Sequence, residues 1–171
     1  MTSINLRAIE PGDIDLIFQW ENDKSIWHLS NTIAPFSRYV LTKYIDSAHL
    51  DIYQTRQLRL MIDYIDSGVS RTVGAIDLFD FEPFHLRAGI GVVIGDIQDR
   101  GKGIASLALD QLIVYTFETL QLKQVYCNIL EDNQASLKLF EKHGFRQIGL
   151  KKSWVKTNDG FKDEYMLQLV K

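Results

Sequence analysis

From Ile4 to Ile9 the chain alternates, with Ile4, Leu6 and Ala8 set against Asn5 and Arg7, a period of two that suits a half-buried strand. Pro11-Gly12-Asp13 ends it. Behind Asp13, a capping residue type, Ile14, Ile17 and Phe18 recur at helical spacing and predict a first helix reaching about Glu21. Ser37 likewise precedes Val40, Leu41, Tyr44, Ile45 and Ala48, the apolar face of a second helix. The segment between them, with Trp27, His28 and Pro35, has no period. Alternation returns at Leu58, Leu60, Ile62 and Tyr64, and Asp66-Ser67-Gly68 turns the chain into a second run, Arg71 to Phe79, giving an antiparallel hairpin. After Glu82-Pro83, the stretch Arg87 to Ile94 becomes so apolar toward its end that both faces should be covered.

A glycine-bearing turn, Gln98-Asp99-Arg100-Gly101-Lys102-Gly103, follows that strand directly. From Ile104 onward Leu107, Ala108, Leu112 and Tyr115 make one helical stripe, and Leu109, Ile113 and Phe117 make another beside it, so this helix should be buried on a wide face. Lys123 to Leu130 alternates once more, with Val125, Cys127 and Ile129 on one face. Asn133 opens a short helix that Gly144 closes, and Phe145 to Val155 and Phe161 to Val170 flank the tight-turn residues Asn158-Asp159-Gly160. The order is strand, two helices, three strands, helix, strand, helix, two strands. That order predicts an α/β (α+β) fold, a mixed seven-stranded sheet with four helices on its faces.

Composition narrows the function classes. The 171 residues, 46% of them hydrophobic, suffice for one well-buried core, and no Pro/Gly/Ser-rich linker divides them, so one domain over residues 1–171 is expected. A net charge of −3 without a basic stripe argues against a nucleic-acid partner, and no apolar run approaches a membrane span. One cysteine and a start without an apolar core suggest a cytoplasmic protein. The histidines (His28, His49, His85, His143) and Cys127 lack ligand spacing, so no metal is assigned.

The turn at 98–105 has the makings of an anion cradle. Two glycines one residue apart allow a tight turn and bring backbone N–H groups close to a ligand, and the helix that follows adds unpaired amides and the positive end of its dipole. The plainer alternative is a strand-to-helix turn that uses glycine only for its dihedral freedom. A nucleotide P-loop would need Ser or Thr after Gly-Lys, yet Gly103 and Ile104 follow Lys102; a dinucleotide fingerprint begun at Gly89 is broken by Ile94.

Two motifs together carry a resemblance. Gln98-Asp99-Arg100-Gly101-Lys102-Gly103 fits the pattern Gln or Arg, any two, Gly, any one, Gly or Ala, and Asn133 to Phe145 supplies a second family pattern on the helix after the fifth strand. The chain resembles the GNAT superfamily of N-acyltransferases, with element order agreeing along nearly its whole length. Leu6-Arg7 and Arg87-Ala88 are similar to the branch of spermidine and ribosomal-protein N-terminal acetyltransferases. The resemblance implies a mostly antiparallel sheet and acetyl-CoA as acyl donor. It implies a pantetheine arm along Val92, Val93 and Ile94, and a pyrophosphate on the amides from Arg100 through Gly101, Lys102, Gly103 and Ile104 to Ala105, beside Gln98. Arg100 and Lys102 would be charge partners of the cofactor's phosphates. It also implies that Asn133, Ser136 and Phe140 face the cofactor. The acceptor would be an amine-bearing small molecule or a protein N-terminus, and the likeness is compatible with a homo-oligomer.

Acyl transfer needs an acceptor for the amine's proton, donors for the oxyanion and a proton for the thiolate. The chain departs from the family at two of these. Gly89 stands where many relatives carry a glutamate, leaving Asp77 and Asp80 as candidate catalytic carboxylates and Glu82 as a third, unless they are ordinary edge or turn residues. Phe140 stands where many carry a tyrosine, and phenylalanine cannot donate a proton. Asn133 serves equally as a helix cap, Cys127 reads as a small buried residue, and Trp20, Trp27 and Trp154 are left without a role. The sequence thus predicts an acetyl-CoA-dependent N-acetyltransferase acting by direct attack, or alternatively a CoA-binding regulatory or interaction domain.

Overall fold

Seven strands form: β1 (Ser3–Ala8), β2 (Leu58–Asp66), β3 (Val69–Glu82), β4 (Arg87–Ile94), β5 (Gln124–Leu130), β6 (Arg146–Thr157) and β7 (Gly160–Val170). The computed structural model describes residues 3–30 and 32–171, without the side chains of His28 and Leu29. The strands join one sheet in the order β1-β2-β3-β4-β5-β7-β6. Every pairing is antiparallel except β4 with β5. The expected mixed, mostly antiparallel seven-stranded architecture is therefore present.

The four helices read from periodicity are α1 (Ile14–Glu21), α3 (Arg38–Asp46), α5 (Ile104–Val114) and α6 (Gln134–Lys142). Two single-turn helices, α2 (Trp27–Ser30) and α4 (Ile52–Thr55), lie in stretches too short to show a helical period. Local chemistry sets the starts: the Ser37 hydroxyl accepts from the Val40 amide at 3.2 Å and the Asn133 side chain from the Ser136 amide at 3.2 Å. Asp51 and Gln54 form a reciprocal capping box on α4.

Helices cover both faces of the sheet, unequally. On one face α5 presents both of its apolar stripes, burying Ile104, Ala108, Leu109 and Leu112 against Ile62, Ile76, Leu78 and Ile90, with Leu137 and Phe140 of α6 alongside. On the other, α1 and α3 bring Ile17, Trp20, Leu41 and Ile45 onto Met61 and Ala75. At about 1.5–3 kcal/mol for each large apolar side chain fully buried, the α5 face carries most of the hydrophobic stabilisation.

Arg7 ties three strands to the chain between β1 and α1. Its guanidinium donates to Asp13 and to Asp63, each at 2.8 Å, and to the Thr72 hydroxyl at 2.9 Å. The Leu6-Arg7 signature thus has a structural role in this molecule.

Candidate active site

β4 and β5 run side by side for only three residue pairs, ending at Gly89 opposite Tyr126. β4 stays bonded to β3 as far as Ile94 opposite Gly74, so beyond Gly89 only its β5-facing edge is open. Alternate N–H and C=O groups along residues 90–94 therefore face that gap, available to an extended ligand. Val92, Val93 and Ile94 lie on this stretch, with Val92 packed toward the α5 face and Val93 toward α1 and α3.

The glycine loop closes the far end of the gap. Ile97–Asp99 makes one 3-10 turn, and the Arg100 amide closes it on the Ile97 carbonyl at 3.2 Å. Gly101 and Gly103 are left-handed, at φ +76° and +80°, and a Cβ on either would meet nothing within 4 Å. Space as well as dihedral freedom is therefore provided. Gly103 caps α5, and the amides of residues 101–106 find no acceptor among the described residues. These donors lie at the positive end of the helix dipole, an arrangement that suits an anion.

One buried carboxylate holds the loop in this shape. Asp99, 2% exposed, takes two hydrogen bonds at 2.5 Å from Arg71 and one at 3.1 Å from Lys102. The Arg71 guanidinium, helped by Lys102, lowers its pKa to about 2. Arg71 brings a second cation to the loop from β3. The Arg100 side chain turns back instead, donating to the carbonyls of Ile94 at 3.2 Å and Gly95 at 3.1 Å. Gln98 is exposed on the 3-10 turn.

Across the gap, Asn133 and Ser136 open α6. Phe140 is buried and stacks edge-to-face on Phe145 at 5.0 Å. Ser106 and Asp110 of α5 meet His143 at the end of α6, each at 3.2 Å, which pins the two helices together. Cys127 is buried among apolar side chains, and burial pushes its thiol up to about 12, so it is no nucleophile at neutral pH.

The candidate carboxylates separate clearly. A Cβ at Gly89 would run into the ring of Phe79, its cross-strand partner, so an aromatic ring fills the space beside the backbone where a β4 side chain would begin. Asp77 is held in a two-pronged ion pair with Arg59, at 2.7 and 3.0 Å, and Arg59 also binds Glu21 at 2.5 Å. Asp80 sits in a bulge between Phe79 and Glu82, at φ +47°, an uncommon conformation for a residue with a side chain. Its carboxylate receives the Tyr126 hydroxyl at 3.3 Å, beside the last paired position of β4 and β5. Burial, with Asp80 beside it, raises the Tyr126 pKa, so the phenol keeps its proton at neutral pH. Glu82 is exposed and pairs with Arg87 at 3.1 Å. Asp80, Glu82 and Tyr126 line a cleft of about 1170 Å³ whose floor continues over Asn128, Lys151 and Gln168.

Sequence reading missed Tyr126 and Arg71, because only the register of the strands brings them to the site. Trp20 is a core residue of α1, Trp27 donates to the Glu21 carbonyl at 2.9 Å, and Trp154 is exposed on β6. Among the described residues no three His, Cys, Asp or Glu side chains converge as a metal site. No helix of the described residues is long and apolar enough to cross a membrane.

The fold has known counterparts. The acetyltransferase (GNAT) domain family matches residues 3–146. The uncharacterised N-acetyltransferase p20 of Bacillus licheniformis is 27% identical, covering 98% of this chain and 93% of the relative. The spermidine N(1)-acetyltransferase of Vibrio cholerae is 22% identical over 86% and 82%. The crystal structure of spermidine N-acetyltransferase from Vibrio cholerae in complex with CoA and spermine superposes with a TM-score of 0.87 at 21% identity, covering 98% and 95%. A dodecameric structure of spermidine N-acetyltransferase from that organism superposes at 0.80 with 22% identity, over 98% and 93%. Nothing in these likenesses supports the regulatory alternative. The chain belongs to the GNAT acetyltransferase family, whose members use acetyl-CoA as the acetyl donor.

Proposed function

We propose that the enzyme transfers an acetyl group from acetyl-CoA directly to a primary amine held in the cleft beside Asp80 and Tyr126. The observation that carries this is the parting of β4 from β5 after Gly89, above a glycine loop whose amides are free to bind phosphate. In this reading the pantetheine lies along Val92, Val93 and Ile94, and the pyrophosphate rests on the amides at 101–106, with Arg71 and Lys102 as cations. The thioester then reaches the vertex of the gap at Tyr126.

There the amine nitrogen attacks the carbonyl carbon, a C–N bond forms, and the oxyanion is held by a β4 amide. The nitrogen, now a stronger acid, gives its proton to Asp80 through the Tyr126 hydroxyl, which passes its own proton on. Collapse breaks the C–S bond, and solvent protonates the thiolate. Much of the rate comes from holding both reactants, since fixed near-attack geometry is worth on the order of 7–11 kcal/mol.

The test compares two carboxylates. CoA release from acetyl-CoA over a panel of amines and peptides should show turnover in the wild type. Asp80→Asn should lower kcat by about 10²–10⁴ with acetyl-CoA binding retained, the range for a lost general base. Asp77→Asn should mainly lower the melting temperature, because it leaves Arg59 with only Glu21. The reverse assignment of effects would exclude Asp80 as the base.

The exposed apolar side chains Ile148, Trp154 and Phe161 on the β6–β7 hairpin support a homo-oligomer, which a monomeric mass in light scattering would exclude. Use of acetyl-CoA, a thioester made inside cells, supports a cytoplasmic enzyme; cell fractionation tests that assignment.

A further inference from the structure

Charges in the cleft beside Tyr126 pair off almost completely. Arg87 meets Glu82 at 3.1 Å, and Lys151 meets Glu164 at 2.8 Å. Two charged side chains remain whose partners, among the described residues, are neutral. One is Asp80, bonded to the Tyr126 phenol at 3.3 Å. The other is Arg56, whose Nη1 donates to the Phe81 carbonyl at 3.2 Å. Both are exposed and both line the cleft.

They are also fixed next to each other. The Phe81 amide donates to the Arg56 carbonyl at 3.0 Å, so the chain just after α4 is laced to the residue following Asp80. Arg56 ends α4 in a left-handed conformation, φ +60°, its amide bonded to the Ile52 carbonyl at 2.9 Å. Arg56 is not one of the types, glycine, asparagine and aspartate, that adopt such a backbone most readily. The bulge at Asp80 and the cap at Arg56 thus hold one negative and one positive group in place without joining them to each other. A polycation entering here would meet Arg56, Arg87 and Lys151, and only Asp80 would greet it without a cation already bound.

We infer that the acceptor is an amine that also carries an anionic group, a carboxylate or a phosphate. Its ammonium is drawn to Asp80 and gives one proton to solvent, leaving the neutral amine to attack, while its anion is held at Arg56, whose planar guanidinium suits either oxyanion. This rests on the cleft being the acceptor site and adds what the acceptor must contain.

Matched acceptors isolate the anion: 5-aminopentanoate against pentylamine, and glucosamine 6-phosphate against glucosamine, with spermidine as the polycation. In at least one pair the anionic member should have the higher kcat/KM by roughly tenfold or more, the effect of one charge-assisted hydrogen bond. The winning pair tells carboxylate from phosphate. Arg56→Gln should collapse the ratio within that pair through KM, and Arg56→Lys should restore most of it. Acetyl-CoA affinity and melting temperature report that the variants are folded. Equal rates within both pairs, or a preference for spermidine, overturn the inference while leaving acetyl transfer intact. If no amine is turned over, calorimetry on the CoA-loaded protein decides. Binding of an anionic member by wild type and not by Arg56→Gln supports the inference, and binding by neither overturns it. Binding without turnover would sink the proposed transfer and not the recognition.

Discussion

At Gly89 a missing side chain and a present one explain each other. The ring of Phe79 lies where a β4 side chain would begin, and one residue further along β3 the chain bulges and sets Asp80 beside Tyr126. That Gly89 departs from the family was legible in the sequence. That Asp77 is locked to Arg59 while Asp80 meets only a phenol was not, because those partners come from other strands and a bulge resets which face Asp80 occupies. Phe140 is a second case, visible as a departure and explained only by packing. Buried and stacked on Phe145, it contributes as core, and Phe140→Ala should lower stability by about 3–5 kcal/mol in chemical denaturation. Protonation of the thiolate does not need it, since a free alkyl thiol has a pKa of about 8.5 and solvent is at hand. Phe140→Tyr should therefore keep the rate or raise it modestly. A wild type inert with every amine, and a Phe140→Tyr variant that turns over, would show that the phenol is required.

Among the elements, the helices long enough to show a period were read with their local caps, while the single turn α4 was missed despite its own capping box. The Ser37 and Asn133 caps and the glycine break before α5 lie within a few residues of what they determine. The shape of the glycine loop instead depends on Arg71, 28 residues before Asp99 and on β3. That dependence predicts how the loop responds to acid. The folded pKa of Asp99, about 2, lies below its ordinary 3.8, so the stabilising contribution is fully present above about pH 4 and is lost as pH falls toward 2. The shift corresponds to about 1–2 kcal/mol once the solvent exposure of Arg71 is discounted. Asp99→Asn should be less stable than wild type at pH 5, and the gap should narrow as pH falls to 2. A gap independent of pH in urea titrations would mean that the Asp99 charge contributes nothing to folding.

On the scale of the whole molecule, the sheet consists of two parts. β1 to β4 carry α1 and α3, while β5, β7 and β6 form the other part, and only three parallel pairs join them directly. The remaining connections run through Tyr126, which meets Asp80 and the Phe79 ring, through the Lys123 and Gln124 amides on the Leu86 carbonyl, and through α5 and α6, whose apolar faces share one core and which meet at His143. The order of elements was legible because strands and helices differ in period, but the early end of the β4–β5 pairing is a property of two strands together. A cofactor in the gap would pair with the β4 edge and bind the amides that open α5, touching the parts the sheet leaves least connected. Acetyl-CoA should therefore stabilise the folded chain by about 2.7 kcal/mol at one hundred times its dissociation constant. Hydrogen exchange followed by mass spectrometry locates the effect: slowing should concentrate at residues 90–94 and 101–106, with β5 next, while the β1–β2 pairing changes little. Uniform slowing along the chain would mean that binding stabilises the fold without filling this gap. No change in exchange or in melting temperature at millimolar acetyl-CoA would remove the gap as the cofactor site.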